Sequence, residues 1–429
     1  MRINYDFKSI FLNKLNFLLE KLSMNISYLD NIENKINKVR KLKNSVEKYK
    51  NAKKLVKEYP FDPRVHLSLT EAMFENFDRG WISHSNEYAK KRHKWISENN
   101  LDNINMEFIG VKTVFGSLGN HLTIESLMNS NNCDLRKKKN IFLLLPKHLK
   151  LTNQTLFNYF KPNLHVVRNA KIINSLKNLE SYLSLPMGFI LPFKDKSVFH
   201  EFIPPLIEQR QISSSGIKPI FTLSNEDKKK GEEILKKMGV KKDWHVTLHV
   251  REPGYNGETK ENSNESFRNS DPNNYIKSIK LITDKGGWVF RMGDPSMKKM
   301  PKMKNLVDYA HSEFRSDFMD VYLAATSKFC IGTSSGYYGL PRFFGVPVLL
   351  TNVPALSRYF NLKGKDIFLP RLIKKKSTNE YLSLNQLFSH PYIFFHSDKN
   401  YETEDLIAEE NNAEDLADAT SEMIDNLLN

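Results

Sequence analysis

Two strand ends and the loop between them hold the residue types that could do chemistry. The stretch HVTLHVRE at 245–252 alternates and is rich in Val and Leu, so it reads as a strand delivering Arg251 and Glu252 to its carboxyl end. At 328–336, KFCIGTSSG reads as a second strand followed by the small-residue turn Thr333, Ser334, Ser335 and Gly336, with a helix expected over 337–344. A turn at a helix start leaves its first N–H groups pointing outward at the positive end of the helix dipole, a setting that suits a phosphate. A guanidinium at one strand end and an amide nest at another, in one sheet, would cradle a diphosphate.

Further polar residues fall at other strand ends. The stretch 285–291 reads as a strand ending in Arg291, Gly293 and Asp294, where Arg291 either reaches phosphates or a base, or pairs with Asp294. The 252–270 loop has no secondary-structure signal and is longer than a compact fold tolerates unless it is functional. It carries Tyr255, Asn256, Glu258, Arg268 and Asn269 and reads as a lid over the ligand, with a disordered insertion as the alternative. Nearer the N-terminus, 111–116 reads as a strand that places Gly119, Asn120 and His121 at a sheet edge, either lining a cleft or, for Asn120, capping the next helix. No D-x-D motif stands at a strand end with a matching partner, so no catalytic metal ion and no cofactor are expected. General-base candidates are His121, Glu252 and Glu258, in that order, whereas Asp317 and Asp320 read as structural.

The segments HVREPGY, RNSDPNNY, GGWVFRMGD, DFMDVYLAATSKFCIGTSSG and FGVPVLLTN together resemble a bacterial glycosyltransferase family. More distantly they are similar to the protein O-fucosyltransferases and α-1,6-fucosyltransferases, which share an H-x-R strand end, here His249 and Arg251, and a late Ser-Ser turn, here Ser334 and Ser335. The resemblance covers roughly 110–429 and is strongest from Pro219 onward. It implies a GT-B architecture, two Rossmann-like domains facing a cleft, with the nucleotide sugar held mainly by the C-terminal one. The donor-binding set it implies is His249, Arg251, Tyr255, Arg268, Asn269, Arg291, Gly293, Thr333, Ser334, Ser335 and Gly336. Gly119, Asn120 and His121 would line the acceptor side, and Arg251, His121 and Glu252 would serve catalysis. The implied reaction is metal-independent transfer of a sugar from a nucleotide-diphosphate sugar to a hydroxyl of a glycan, lipid-linked glycan or protein. A sugar-nucleotide epimerase or hydrolase of the same fold, and a non-catalytic scaffold, are the alternatives; IGTSSG is also similar to the former group.

Elements that could position these residues follow from periodicity and punctuation. Short apolar runs alternating with helix-period segments give an α/β class with a parallel sheet. At 429 residues, 40% hydrophobic and 26% charged, the chain is long enough for two or three domains with real cores. The expected division is a helical extension over 1–105, a first Rossmann-like domain over 106–215, a second over 216–410, and a final helix over 411–429 packing back on the first. The extension carries apolar stripes at Leu12, Leu15, Leu19 and Leu22 and at Ile32, Ile36, Val39, Val46 and Tyr49, which dock intramolecularly or mediate a homo-oligomer. The segment 52–96 resembles a tetratricopeptide-type unit, with breaks at Pro60 and Pro63 and helices from Arg64 and Trp81.

With Lys+Arg at 64 against Asp+Glu at 49, the net charge is +15, spread along the chain without a nucleic-acid motif. It would steer an anionic nucleotide sugar or hold the protein near an acidic membrane, and no nucleic-acid partner is expected. The two cysteines, Cys133 and Cys330, lack metal or disulfide spacing. The N-terminus interrupts its apolar residues with Asp6, Lys8, Lys14 and Glu20, so a cytoplasmic location is expected, if anywhere special at the inner face of a membrane.

Overall fold

The computed structural model describes residues 26–76, 78–99, 106–110, 140–147, 149, 151–173, 190–193, 196–199, 219–241, 244–254, 257, 263–354 and 364–428. They divide between two compact units, one built from Met1–Thr113, Arg136–Lys150 and Lys161–His200, the other from Val114–Leu135, Leu151–Phe160 and Glu201–Asn429. The helical extension shares a unit with the first sheet, and the boundary expected at 215 lies outside the described residues.

In the first unit, helices α1 (Ile26–Arg40), α2 (Ser45–Glu58), α3 (Pro63–Glu75) and α4 (Trp81–Glu98) follow one another. Ile32, Ile36 and Val39 of α1 are buried against Ala52, Leu55, Val65 and Leu69, so this part of the apolar stripe is spent inside the unit. The stripe does not continue to Val46, which is 66% exposed. Asn44 ends it by accepting the Glu47 N–H at 3.0 Å and starting a new helix on a new face. Asp62 and Pro63 open α3 as cap and first-turn proline. Strands β1 (Met106–Gly110), β2 (Asn140–Leu144) and β3 (His165–Val167) pair in parallel in that order, while β4 (Ile190–Phe193) and β5 (Lys196–Phe199) form an antiparallel pair. The strand and loop expected over 111–121 lie outside the described residues.

The second unit holds a six-stranded sheet of β6 (His245–His249), β7 (Trp288–Arg291), β8 (Leu306–Val307), β9 (Phe329–Gly332), β10 (Val348–Val353) and β11 (Ile367–Pro370). Its spatial order is β11-β10-β9-β6-β7-β8, and every neighbouring pair is parallel. Counted from the first strand of the unit, this is the doubly wound order 3-2-1-4-5-6, whose direction of winding reverses between β6 and β9. Along β6, Val246 and Leu248 point into a core shared with helix α7 (Ile276–Asp284). His245 points the other way, its ring within 3.0 Å of Leu323 O in helix α8 (Asp317–Thr326).

The acidic helix at the C-terminus, Ala413–Leu428, buries Leu416, Met423 and Ile424 in the same core as α7 and the sheet. This corrects the expectation that it crosses back to the first domain: its apolar stripe is consumed by the sheet that precedes it. Among the described residues, no helix is long and apolar enough to cross a membrane.

Candidate active site

The switch point between β6 and β9 brings together His249, Arg251, Thr333 and Ser335. The ladder sets His249 opposite Gly332. Just beyond it, the Thr333 N–H donates to His249 O at 3.1 Å, and the Arg251 N–H donates to Thr333 Oγ1 at 2.8 Å. His249 points to the face where Ser335 and Tyr337 lie: Ser335 Oγ is 3.0 Å from its Nδ1, and its ring stacks on Tyr337 at 5.1 Å. Burial first, then the Arg291 charge, pushes the His249 pKa down to about 4, so the ring is neutral near pH 7.

The Arg268 guanidinium touches the turn, and the Arg251 guanidinium turns to the 265–269 segment. Arg251 Nη1 donates to Asn269 Oδ1 and, at 3.3 Å, to Glu265 O. Arg268 Nε donates to Ser334 O at 2.9 Å and lies 3.1 Å from Ser334 Oγ. Both turn toward the Glu265 carboxylate: Arg268 Nη1 donates to Oε2, and Arg251 Nη2 stands 4.0 Å from the same oxygen. The segment carrying Arg268 is held from behind, because the Asp398 carboxylate accepts the Ser266 and Phe267 N–H groups, each at 2.8 Å. The far end of the long loop is thus an anchored one-turn helix, Ser266–Arg268.

Three expectations are corrected. The amide nest over 333–336 is partly closed, since the Thr333 and Ser335 N–H groups are used by His249 O and Thr333 O. The helix after it, α9 (Gly339–Phe343), starts three residues past Gly336 and is one turn long, so no helix N-terminus stands at the turn itself. Arg291 pairs with carboxylates other than Asp294: it is fully buried, donating to Glu252 Oε1 and, at 3.2 Å, to Asp308 Oδ1. Glu252, 4% exposed, has its other oxygen taken by the Lys298 N–H at 3.1 Å, which removes it from general-base duty. Gly293, two residues past β7, has φ +145°, a conformation that needs glycine, and its carbonyl accepts from Arg315 Nε at 3.1 Å. Tyr255, Gly119, Asn120 and His121 lie outside the described residues.

Sequence reasoning missed Glu265 and Arg371. Glu265 was legible as the i, i+3 partner of Arg268 in ESFR. Arg371 was not, for its contacts are distant: its Nη2 donates to Asn269 O and, at 2.8 Å, to Ser270 Oγ, and its Nη1 to Ala408 O at 3.1 Å. It stands at the wall of a depression of about 690 Å³ that it shares with Phe267, Tyr401 and Leu406. Among the described residues no group of three or more His, Cys, Asp or Glu side chains could hold a metal ion.

No protein-family model matches the chain, and no curated protein sequence does. Solved structures do. The glycosyl transferase family 9 protein of Veillonella parvula DSM 2008 superposes with a TM-score of 0.43 at 11% identity, over 75% of this chain and 97% of its own. The E. coli ADP-heptose LPS heptosyltransferase II gives 0.39 at 10% identity, over 75% and 99%. The dodecameric iron-containing heptosyltransferase TibC, in complex with ADP-D-beta-D-heptose, gives 0.38 at 11%, over 75% and 76%. None of these three is a fucosyltransferase. Likeness this slight carries no weight for activity.

Proposed function

We propose that the protein is a glycosyltransferase that moves a sugar from a nucleotide-diphosphate sugar to a hydroxyl acceptor. The observation that carries this reading is what meets at the reversal point of a doubly wound parallel sheet: the Arg268 guanidinium on Ser334, the Arg251 N–H on Thr333 Oγ1 and the Ser335 hydroxyl on His249, with the Arg251 guanidinium 4.0 Å from the carboxylate oxygen that Arg268 also holds. Ligands of such sheets bind at that point, outside the carboxyl ends of the strands. As the bond from the sugar to the leaving diphosphate breaks, negative charge grows on the phosphate oxygens. Fixed guanidiniums bind that charge more tightly in the transition state than before it, which lowers the barrier. Two guanidiniums supply the positive charge that a divalent ion would otherwise bring, so transfer proceeds in EDTA under this reading.

The acceptor is a hydroxyl of a glycan, lipid-linked glycan or protein. Its general base comes from outside the described residues, with His121 first in line now that Glu252 is committed to Arg291. The test is a thermal-unfolding screen with UDP, GDP, CDP, dTDP and ADP and their sugars. A ligand at about 100 times its Kd stabilises by roughly 2.7 kcal/mol. No midpoint rising with any nucleotide diphosphate would remove the proposal.

A further inference from the structure

Among the described residues, one carboxylate, that of Glu265, is shared by the Arg251 and Arg268 guanidiniums. Glu265 Oε2 accepts from Arg268 Nη1 and stands 4.0 Å from Arg251 Nη2, so one oxygen is shared by two guanidiniums, as a phosphate oxygen bridging them would be. Of the three side chains Glu265 is the most exposed, at 36% against 14% and 16% for Arg251 and Arg268. Its backbone is tethered at the neighbouring residues: Asp398 accepts both the Ser266 and Phe267 N–H groups, at 2.8 Å each, and the Glu265 N–H reaches Ser263 Oγ at 3.2 Å. The carboxylate can therefore swing into solvent by side-chain rotation alone, leaving Arg268 on Ser334 and Arg251 on Asn269.

We infer that Glu265 is an internal anion that occupies the arginine pair when no ligand is bound, and that a diphosphate must displace it. Resting on the anion-binding reading of this site, the inference adds that the affinity of the site is set by competition between the ligand and the protein's own carboxylate. Glu265 keeps two neighbouring guanidiniums compensated in the empty protein, and it repels any anion that arrives before it leaves. The ligand this favours is one with at least two charges on adjacent phosphoryl groups, because a monoanion gains little over the carboxylate already in place. A nucleoside diphosphate meets that condition and a nucleoside monophosphate meets it poorly.

The experiment is isothermal titration of the full chain with inorganic pyrophosphate and with UDP and GDP, in the wild type, Glu265→Gln, Glu265→Ala and Arg251→Ala. Glutamine keeps the shape and removes the charge, and at a surface-like dielectric one unit charge about 4 Å away is worth about tenfold or more in affinity. Pyrophosphate should bind Glu265→Gln and Glu265→Ala at least tenfold tighter than the wild type, with a shallower loss at high salt, and Arg251→Ala should lose it. Equal or weaker binding by the two Glu265 variants, while the wild type still binds and Arg251→Ala does not, would overturn the competition and leave the anion site standing. Binding by none of the proteins, or binding indifferent to Arg251, would overturn the anion site and this inference with it.

Discussion

Arg251 and Arg291 end adjacent strands of one sheet, and the sequence presents them alike, each a lone arginine just past an apolar run. The fold treats them differently. Arg291 lies on the ladder itself, opposite Leu248, and is fully buried with two carboxylates in contact, Glu252 and Asp308. Arg251 lies two residues past its strand, 14% exposed, and shares its nearest carboxylate with a second arginine. Among the described residues, two carboxylates therefore meet one cation at Arg291, and one carboxylate is shared by two cations at Arg251. A buried cation held between two carboxylates reads as a structural element, whereas two guanidiniums that share one carboxylate suit an anion. Position at a strand end cannot tell the two apart; the count of compensating acids does.

That contrast is broken most directly at the structural arginine. Arg291→Met should leave the buried Glu252 and the partly buried Asp308 without their cation, and removing one partner of a buried pair costs about 3–5 kcal/mol. Urea unfolding should show a midpoint loss of that order, with Glu252→Gln milder because the amide still accepts one hydrogen bond. A Met variant as stable as the wild type would mean that the network is solvated and that Arg291 is available for chemistry after all. The edge arginine should behave in the opposite way. Arg251→Ala should change the unfolding midpoint little and weaken nucleotide-diphosphate binding by roughly 2–3 kcal/mol, that is, about 30- to 200-fold. A large stability loss with unaltered binding would place Arg251 beside Arg291.

Much of this was legible beforehand, and the reason is local. Apolar runs punctuated by Gly, Pro and Ser located β6, β7, β9 and the turn at 333–336, because strand length and turn chemistry are properties of a few consecutive residues. Pro63 and Trp81 located α3 and α4 by the same logic. Partnership was not legible. Nothing near position 252 in the sequence says that its carboxylate meets a guanidinium 39 residues on. Nothing near 371 says that this arginine holds the backbone of 269 across 102 residues. The final helix was misassigned for a related reason: an amphipathic stripe declares that it packs and stays silent about which surface it packs on.

Between the two arginines sits His249, which senses both. Its pKa is pushed to about 4 by burial first, then by Arg291, with Arg251 a smaller cause. Because the folded value lies below the unfolded value of about 6.5, the stability tied to the neutral ring is complete above the unfolded value. It is lost as pH falls from there through the folded one. Histidine NMR titration should show His249 still well below its ordinary range in Arg251→Ala, since burial and Arg291 remain. A return to the ordinary range would mean that the edge guanidinium, and not the buried interior, sets the state of the ring.

The smallest effect belongs to an ion pair that looks as good as the others on paper. Lys277 Nζ meets Glu414 Oε1 between α7 and the last helix, but the two side chains are 56% and 67% exposed. Water solvates both ions whether or not they pair, and holding two long side chains in one geometry has an entropic cost that offsets the attraction. The helices are held instead by Ile279, Leu416 and Met423, buried on the faces turned toward each other. Lys277→Ala should therefore leave the urea midpoint where it is, at low salt as at high. A clear loss at low salt that vanishes at high salt would show that surface pairs matter in this unit, and the distinction drawn between Arg291 and Arg251 would then rest on degree of burial alone.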